Sequence, residues 1–333
     1  MSELIRQLAQ YVKITRFILL QTIQRNIVSV KRSWLFSPAT QPDAWKVLAR
    51  TGSNLYPSRV FRPKIKDAGS YPLVIMVHGG GFLMNNPSVD DPLARRLADN
   101  CSCIVVNIDY RKAPRHLFPA AYEDVVESTL ALLGNSGADL PIDRDKVVLC
   151  GSSAGGNLVL AAAQDSRLRG KLLGVLALYP PVNMVPTMEE QMASRPDPSI
   201  PDVIGDMWPD LLAIDAGTTD VAALRDPRLS PTYFKQRNDL PRHVFLLGCE
   251  HDLLCHEAKI MAEKLIDAAA SQEQQSTDGR QVGDVRWTFV KGQTHAFDHF
   301  PKKRRDEEET RVRERDLMYQ NIVQWLKDVF GTV

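Results

Sequence analysis

Apolar runs recur along the chain with amphipathic stretches between them. Leu73–Val77 (LVIMV) is apolar at every position, and Ile104–Ile108, Lys146–Cys150, Gly174–Leu178, His243–Leu247 and Val285–Val290 repeat its character. Successive side chains of a strand point to opposite faces, so a continuous run of this kind fits a strand covered on both sides. The stretches between them, Asp91–Asn100, Ala120–Leu133, Gly156–Gln164 and His256–Ala270, read as helices. Trp45–Arg50 and Ser58–Arg62 read as an antiparallel pair ahead of this alternation. The predicted fold class is α/β, with a mostly parallel eight-stranded sheet and helices on both faces.

Three segments stand outside the rhythm, residues 2–36, Pro186–Arg225 and Ser271–Asp284. In residues 2–36, Leu4, Leu8, Tyr11, Ile18 and Leu19 fall on one helical face, with Arg6 and Lys13 opposite. Six basic residues in this segment face one acid, Glu3. A helix packed on the main domain is the simpler expectation; a weak membrane-surface contact, or a guard over a site entrance, is the other. Pro38 and Pro42 end the segment, dividing the chain into a helical cap segment, 1–42, and an α/β domain, 43–333. Pro186–Arg225, rich in Pro, Met and Asp, has no strand signal and reads as a cap insertion at about 183–225. Ser271–Asp284 reads as a polar surface loop. Lys302–Asp316 pairs Glu307 with Arg311 and Glu309 with Arg313, the solvated start of a helix ending near Phe330.

Composition narrows the function. Lys and Arg number 41 against 40 Asp and Glu, a net charge of +1, so the chain has no basic footprint for nucleic acid. At 44% hydrophobic it can bury a large core, but its apolar runs fall far short of the ~20 residues that span a bilayer. Five cysteines, without a CxxC pair, suit free buried thiols in a reducing compartment. With no secretory signal pattern at the N-terminus, a cytoplasmic location is expected, with peripheral membrane association through residues 2–36 as the variant. His251, His256 and Glu257 lack helical i,i+4 spacing, so neither a metal nor another cofactor is expected.

The candidate chemistry begins where the strand-like run Val147–Cys150 meets Gly151-Ser152-Ser153-Ala154-Gly155-Gly156. Gly151-x-Ser153-x-Gly155 has the frame of a nucleophile elbow, a serine on a tight strand-to-helix turn flanked by tiny residues. Ser152 would need small residues at Cys150 and Ala154 and finds no glycine at either, which favours Ser153. His78-Gly79-Gly80-Gly81-Phe82 follows Leu73–Val77, and its glycines leave backbone N–H groups free to meet a substrate oxygen. A phosphate loop would need GxGxxG or GxxxxGK[ST], and neither is present. An acid past a later strand and a histidine past the last one complete such a site, which picks Asp252 and His295. His295 would move the serine proton and Asp252 would orient it. Glu250 and Glu257 are rival acids, and His299 is the rival base.

Together HGGGF at 78–82, GSSAGG at 151–156, DYRKAPRHLFPAAYED at 109–124, DPRLSP at 226–231, GCEHDLLCHEA at 248–258 and GQTHAF at 292–297 resemble the hormone-sensitive-lipase-like family of α/β-hydrolases. The likeness covers about residues 45–330. It implies carboxylic-ester hydrolysis by the serine, with oxyanion donors at Gly80, Gly81 and Ala154. Ser152 stands where the family commonly has an acid, Arg115 where a glutamate is usual, and His256 where an aspartate is common. The expected substrate is a small short- to medium-chain or aryl ester, in a pocket drawn from Phe82, Leu83, Met184, Met207, Trp208 and Phe297. An amide or formamide hydrolase with the same triad is the alternative, and a non-catalytic ligand receptor a further one. A homodimer is compatible with the sequence.

Overall fold

The computed structural model describes residues 40–48, 55–64, 69–202, 215–275 and 284–331, together with Val12, Thr15 and Leu19. Most of the 2–36 segment, Met207 and Trp208 lie outside the described residues. Eight strands form one sheet: β1 (Ala44–Lys46), β2 (Ser58–Phe61), β3 (Tyr71–Val77), β4 (Ile104–Ile108), β5 (Ile142–Ser152), β6 (Gly174–Leu178), β7 (His243–Cys249) and β8 (Asp284–Val290). Their spatial order is β1-β2-β4-β3-β5-β6-β7-β8. β1, β2 and β4 pair antiparallel and β3 to β8 run parallel. The principal helices are α1 (Asp91–Asn100), α2 (Ala120–Leu133), α3 (Ala154–Ala163), α4 (Cys255–Gln275) and α5 (Arg305–Phe330).

The period-two rule decides which side chain enters which layer. Leu73, Ile75 and Val77 join the apolar cluster beneath α2, α3 and α4, whereas Val74 and Met76 join the one beneath α1 and α5. Ile104, Val106 and Ile108 repeat the first pattern and Val105 the second. Each such side chain, fully removed from water, contributes about 1.5–3 kcal/mol. Both faces are filled, so the chain has the predicted α/β architecture. No helix among the described residues is long and apolar enough to cross a membrane. All five cysteines are unpaired, four of them buried.

Boundaries differ from the sequence expectation where a partner decides them. β1 ends at Lys46, opposite Ser58, and Val47 is 80% exposed. β5 starts at Ile142 and not Lys146, and a register shift at Pro72/Leu73 lets the strand carry the polar Asp143-Arg144-Asp145 step, with Arg144 and Asp145 exposed. α4 extends to Gln275, into the tract expected to be loop. Among its described residues, the mid-chain insertion holds the short helices Met188–Ala193 and Val221–Leu224 and no strand. α5 also corrects a charge pairing. Arg311 is 4% exposed and bonds Glu308, at 2.6 and 2.7 Å, with the carbonyls of Phe297 and Asp298, in place of the expected Glu307.

The strand order places the functional edge. From β3 the chain crosses to β4 on one side, whereas β5 and its successors build out on the other. Such a switch point opens a crevice beyond the carboxyl ends of the strands. The glycine loop leaves β3 there, and Ser153 leaves β5 beside it.

Candidate active site

Ser153 separates the last residue of β5 from the first of α3, with φ 51° and ψ −121°. A non-glycine residue at positive φ is strained by about 1–3 kcal/mol, which the surrounding packing must sustain. Here α3 folds straight back against the strand ends. A Cβ on Gly155 would sit 2.0 Å from Val77 O, and one on Gly151 would sit 2.3 Å from Gly155 O. Backbone occupies that space and cannot rotate aside, which explains the tiny residues around the serine. Gly155→Ala is therefore expected to destabilise the fold by at least about 3 kcal/mol, through overpacking against backbone. A thermal unfolding midpoint within a degree or two of wild type would refute that account.

Three residues far apart in sequence meet at this turn. His295 Nε2 lies 2.8 Å from Ser153 Oγ, and His295 Nδ1 lies 2.7 Å from Asp252 Oδ2. A carboxylate can only accept, so Nδ1 carries the proton and Nε2 is left as the acceptor for the serine hydroxyl. Asp252 Oδ1 accepts the Leu254 N–H at 2.9 Å, which fixes the carboxylate plane. Asp252 and His295 are 1% and 2% exposed, and Ser153 is 9% exposed. Burial alone pushes the His295 pKa down, but the Asp252 charge and hydrogen bond outweigh it and hold the pKa above its ordinary value.

The turns carrying the acid and the histidine are tied together. The His251 N–H donates to Gln293 O at 2.9 Å, and Glu250 accepts the Gly292 N–H at 2.7 Å. Glu250, a rival acid, is thus a brace between the two turns. Glu257, the other rival, accepts from Asn183 Nδ2 at 2.8 Å. His299, the rival base, lies 3.5 Å from Asp90 and Asp298. Arg195 donates to His251 O at 2.8 Å and supports the acid turn from the insertion.

The glycine loop binds its own carbonyls. Gly79 O accepts from His78 Nδ1 at 2.7 Å and from Asn85 Nδ2 at 3.3 Å. Gly80 O accepts the N–H groups of Leu83 and Met84 at 3.2 and 2.9 Å. These peptides are trans, so each C=O points opposite to the next N–H. Tying back the Gly79 and Gly80 carbonyls therefore aims the Gly80 and Gly81 N–H groups the other way. Gly80 has φ 131°, and a Cβ there would meet Met84 O at 2.4 Å, so only glycine fits. The Ala154 N–H opens α3 next to the serine, at a helix end that favours negative charge. His78 stacks on Tyr110 at 4.5 Å between centroids, and its Nε2 lies 3.0 Å from Asp109 Oδ1, which also binds Lys112.

Phe82, Leu83, Met184 and Phe297 are at most 2% exposed. The first three share the cluster beneath α2, α3 and α4, with Met84, Met188 and Met192 partly exposed on it. Phe297 belongs to the opposite cluster, beneath α1 and α5. Sequence reasoning missed Tyr179, which follows β6 at the same edge with φ 40°. Its ring meets His295 edge-on at 5.0 Å, and its hydroxyl donates to Asp298 at 2.8 Å. A tyrosine directly past a buried strand, ahead of two prolines, was the available signal.

A family profile described as alpha/beta hydrolase fold matches residues 74–297. An arylesterase of Saccharolobus solfataricus is 30% identical over 220 residues, 64% of this chain and 67% of that protein. Among solved structures, an esterase of Pyrobaculum calidifontis aligns with a TM-score of 0.70 at 24% identity, over 98% of each chain. A thermophilic carboxylesterase cloned from a metagenomic library aligns with a TM-score of 0.67 at 25% identity, over 92% of this chain and 97% of that one.

Proposed function

The chain belongs to the α/β-hydrolase family and is a carboxylic ester hydrolase acting on small-molecule esters, and on that premise we propose that Ser153, His295 and Asp252 carry the reaction. The observation that carries this reading is the continuous hydrogen-bond line from Asp252 through His295 to Ser153 Oγ, beside a loop whose carbonyls are tied back. Ser153 Oγ attacks the ester carbonyl carbon while His295 Nε2 takes its proton. The N–H groups of Gly80, Gly81 and Ala154 receive the developing oxyanion, each donor being worth about 2.7–4 kcal/mol in the transition state. Protonated His295 then gives its proton to the leaving alcohol. Water, activated by the same histidine, releases the acid from the acyl-enzyme. Asp252 keeps the ring in one tautomer and stabilises the imidazolium.

Short- to medium-chain or aryl esters are the proposed substrates. Support comes from the likeness to an arylesterase. The test is kcat/KM for p-nitrophenyl esters from acetate to palmitate, alongside a matched anilide. Efficiency is expected to fall steeply beyond medium chains. Faster turnover of the anilide would assign the site to amide hydrolysis, and failure to turn over any ester would refute the proposal.

A further inference from the structure

The residue before the serine nucleophile has a use of its own. Ser152 is 4% exposed, and its Oγ accepts the Gly79 N–H at 3.1 Å. The hydroxyl proton is directed to Asp90 Oδ1 at 3.5 Å. The Tyr110 hydroxyl donates to His78 O at 3.1 Å. His78 O and Gly79 N–H belong to one peptide unit, so this unit is held at both ends. The loop bearing Gly80 and Gly81 departs directly from it.

Asp90 lies at the end of the 3-10 turn Pro87–Asp90 and is 3% exposed. Its Oδ2 has no hydrogen-bond partner, and the residue lines a cavity of about 220 Å³ whose walls include Leu93, Asp298, His299 and Tyr319. A buried carboxyl with an orphan oxygen keeps part of its desolvation penalty, which His299, 3.5 Å from Oδ1, offsets only in part. Its contact with Ser152 supplies an account of its place there. A serine hydroxyl is a free rotor with one proton and two lone pairs. With the proton drawn to Asp90, a lone pair is left for the Gly79 N–H.

We propose that Ser152 and Asp90 are positioning residues for the oxyanion donors, Ser152 by fixing the Gly79 peptide and Asp90 by orienting the Ser152 hydroxyl. The inference rests on the proposed ester chemistry at Ser153. Donors of this kind act mainly on the tetrahedral species, so their misplacement lowers kcat and leaves KM nearly unchanged.

The experiment measures kcat and KM for p-nitrophenyl butyrate and Ki for an alkyl trifluoromethyl ketone, which forms a reversible tetrahedral adduct with an active serine. In Ser152→Ala, kcat is expected to fall about tenfold with KM within about twofold, and Ki to rise about tenfold. Ser152→Thr keeps the hydroxyl and should return both to within about threefold of wild type. Asp90→Asn, whose amide donates as well as accepts, should fall between the two. Wild-type kcat and Ki in Ser152→Ala, or in Asp90→Asn should the first variant not fold, would overturn the proposal. So would a Ser152→Thr protein as impaired as Ser152→Ala. Ser153→Ala separates the two readings: if it retains turnover, the serine mechanism fails. If it is inactive while Ser152→Ala is unaffected, only the positioning role fails.

Discussion

Ser153→Ala is expected to lose ester turnover by at least about 10³-fold in kcat while folding as the wild type does. The substitution removes one atom, Oγ, and keeps the Cβ that already occupies the strained turn at φ 51°. His295 loses one hydrogen bond and retains the one to Asp252 at 2.7 Å. Binding and the oxyanion donors stay in place, and they leave a residual rate about 10³–10⁴-fold above water in enzymes of this type. Initial rates with a p-nitrophenyl ester give the loss, and a fluorophosphonate probe should label the wild type once and the variant not at all. Turnover near the wild-type level in a folded Ser153→Ala protein would remove the serine from the mechanism.

Asp252→Asn is expected to lower kcat by about 10⁴-fold without displacing the backbone, because the amide can turn its N–H₂ toward Nδ1. The ring then carries its proton on Nε2 and cannot accept from Ser153. The same variant has a signature in pH. Burial opposes the charged form of His295, and the Asp252 charge overrides it, so wild-type kcat/KM should fall on the acid side with a midpoint above about 6.5. Without the carboxylate, burial is opposed only by the more weakly acting Asp202 and Asp298, and the midpoint of the remaining activity should move to lower pH. Stability follows with a defined sign. A histidine pKa raised on folding stabilises the protein fully below the unfolded value of about 6.5, and this stabilisation is lost as pH rises through the folded value. The gap in unfolding free energy between wild type and variant should therefore be wider near about pH 6 than near about pH 8. An acid limb that stays in place on substitution would show that Asp252 does not tune His295.

The residues hidden from sequence reasoning share a physical character. Asp90 stands before Asp91 at the start of α1, where an acid reads as a helix N-terminal charge. Its neighbour Ser152 is 62 residues away and is reached only because β5 ends against this turn. Arg311 reads as a surface partner of Glu307, because a helical spacing rule knows only its own helix. In the fold it is buried against the loop that follows His295 and holds the carbonyls of Phe297 and Asp298. Tyr179 and the bracing role of Glu250 likewise depend on which strands are neighbours. Phe297 lies two residues from His295 and yet packs on the opposite face of the sheet from Phe82.

By itself the sequence determined the layered α/β fold, the strand-to-helix turn at Ser153 and the glycine loop after β3. Each rests on a local rule: the period of two along a strand, the steric demand for tiny residues at a closed turn, and the backbone freedom that glycine alone has. The tertiary structure decided distance and orientation. Ser153 and His295 are 142 residues apart and His295 and Asp252 are 43 apart, so no local rule could bring them within 2.8 Å. Strand order and the hydrogen bonds between the turns after β7 and β8 did so, and the contact with Asp252 holds the Nδ1 proton that leaves Nε2 facing Ser153.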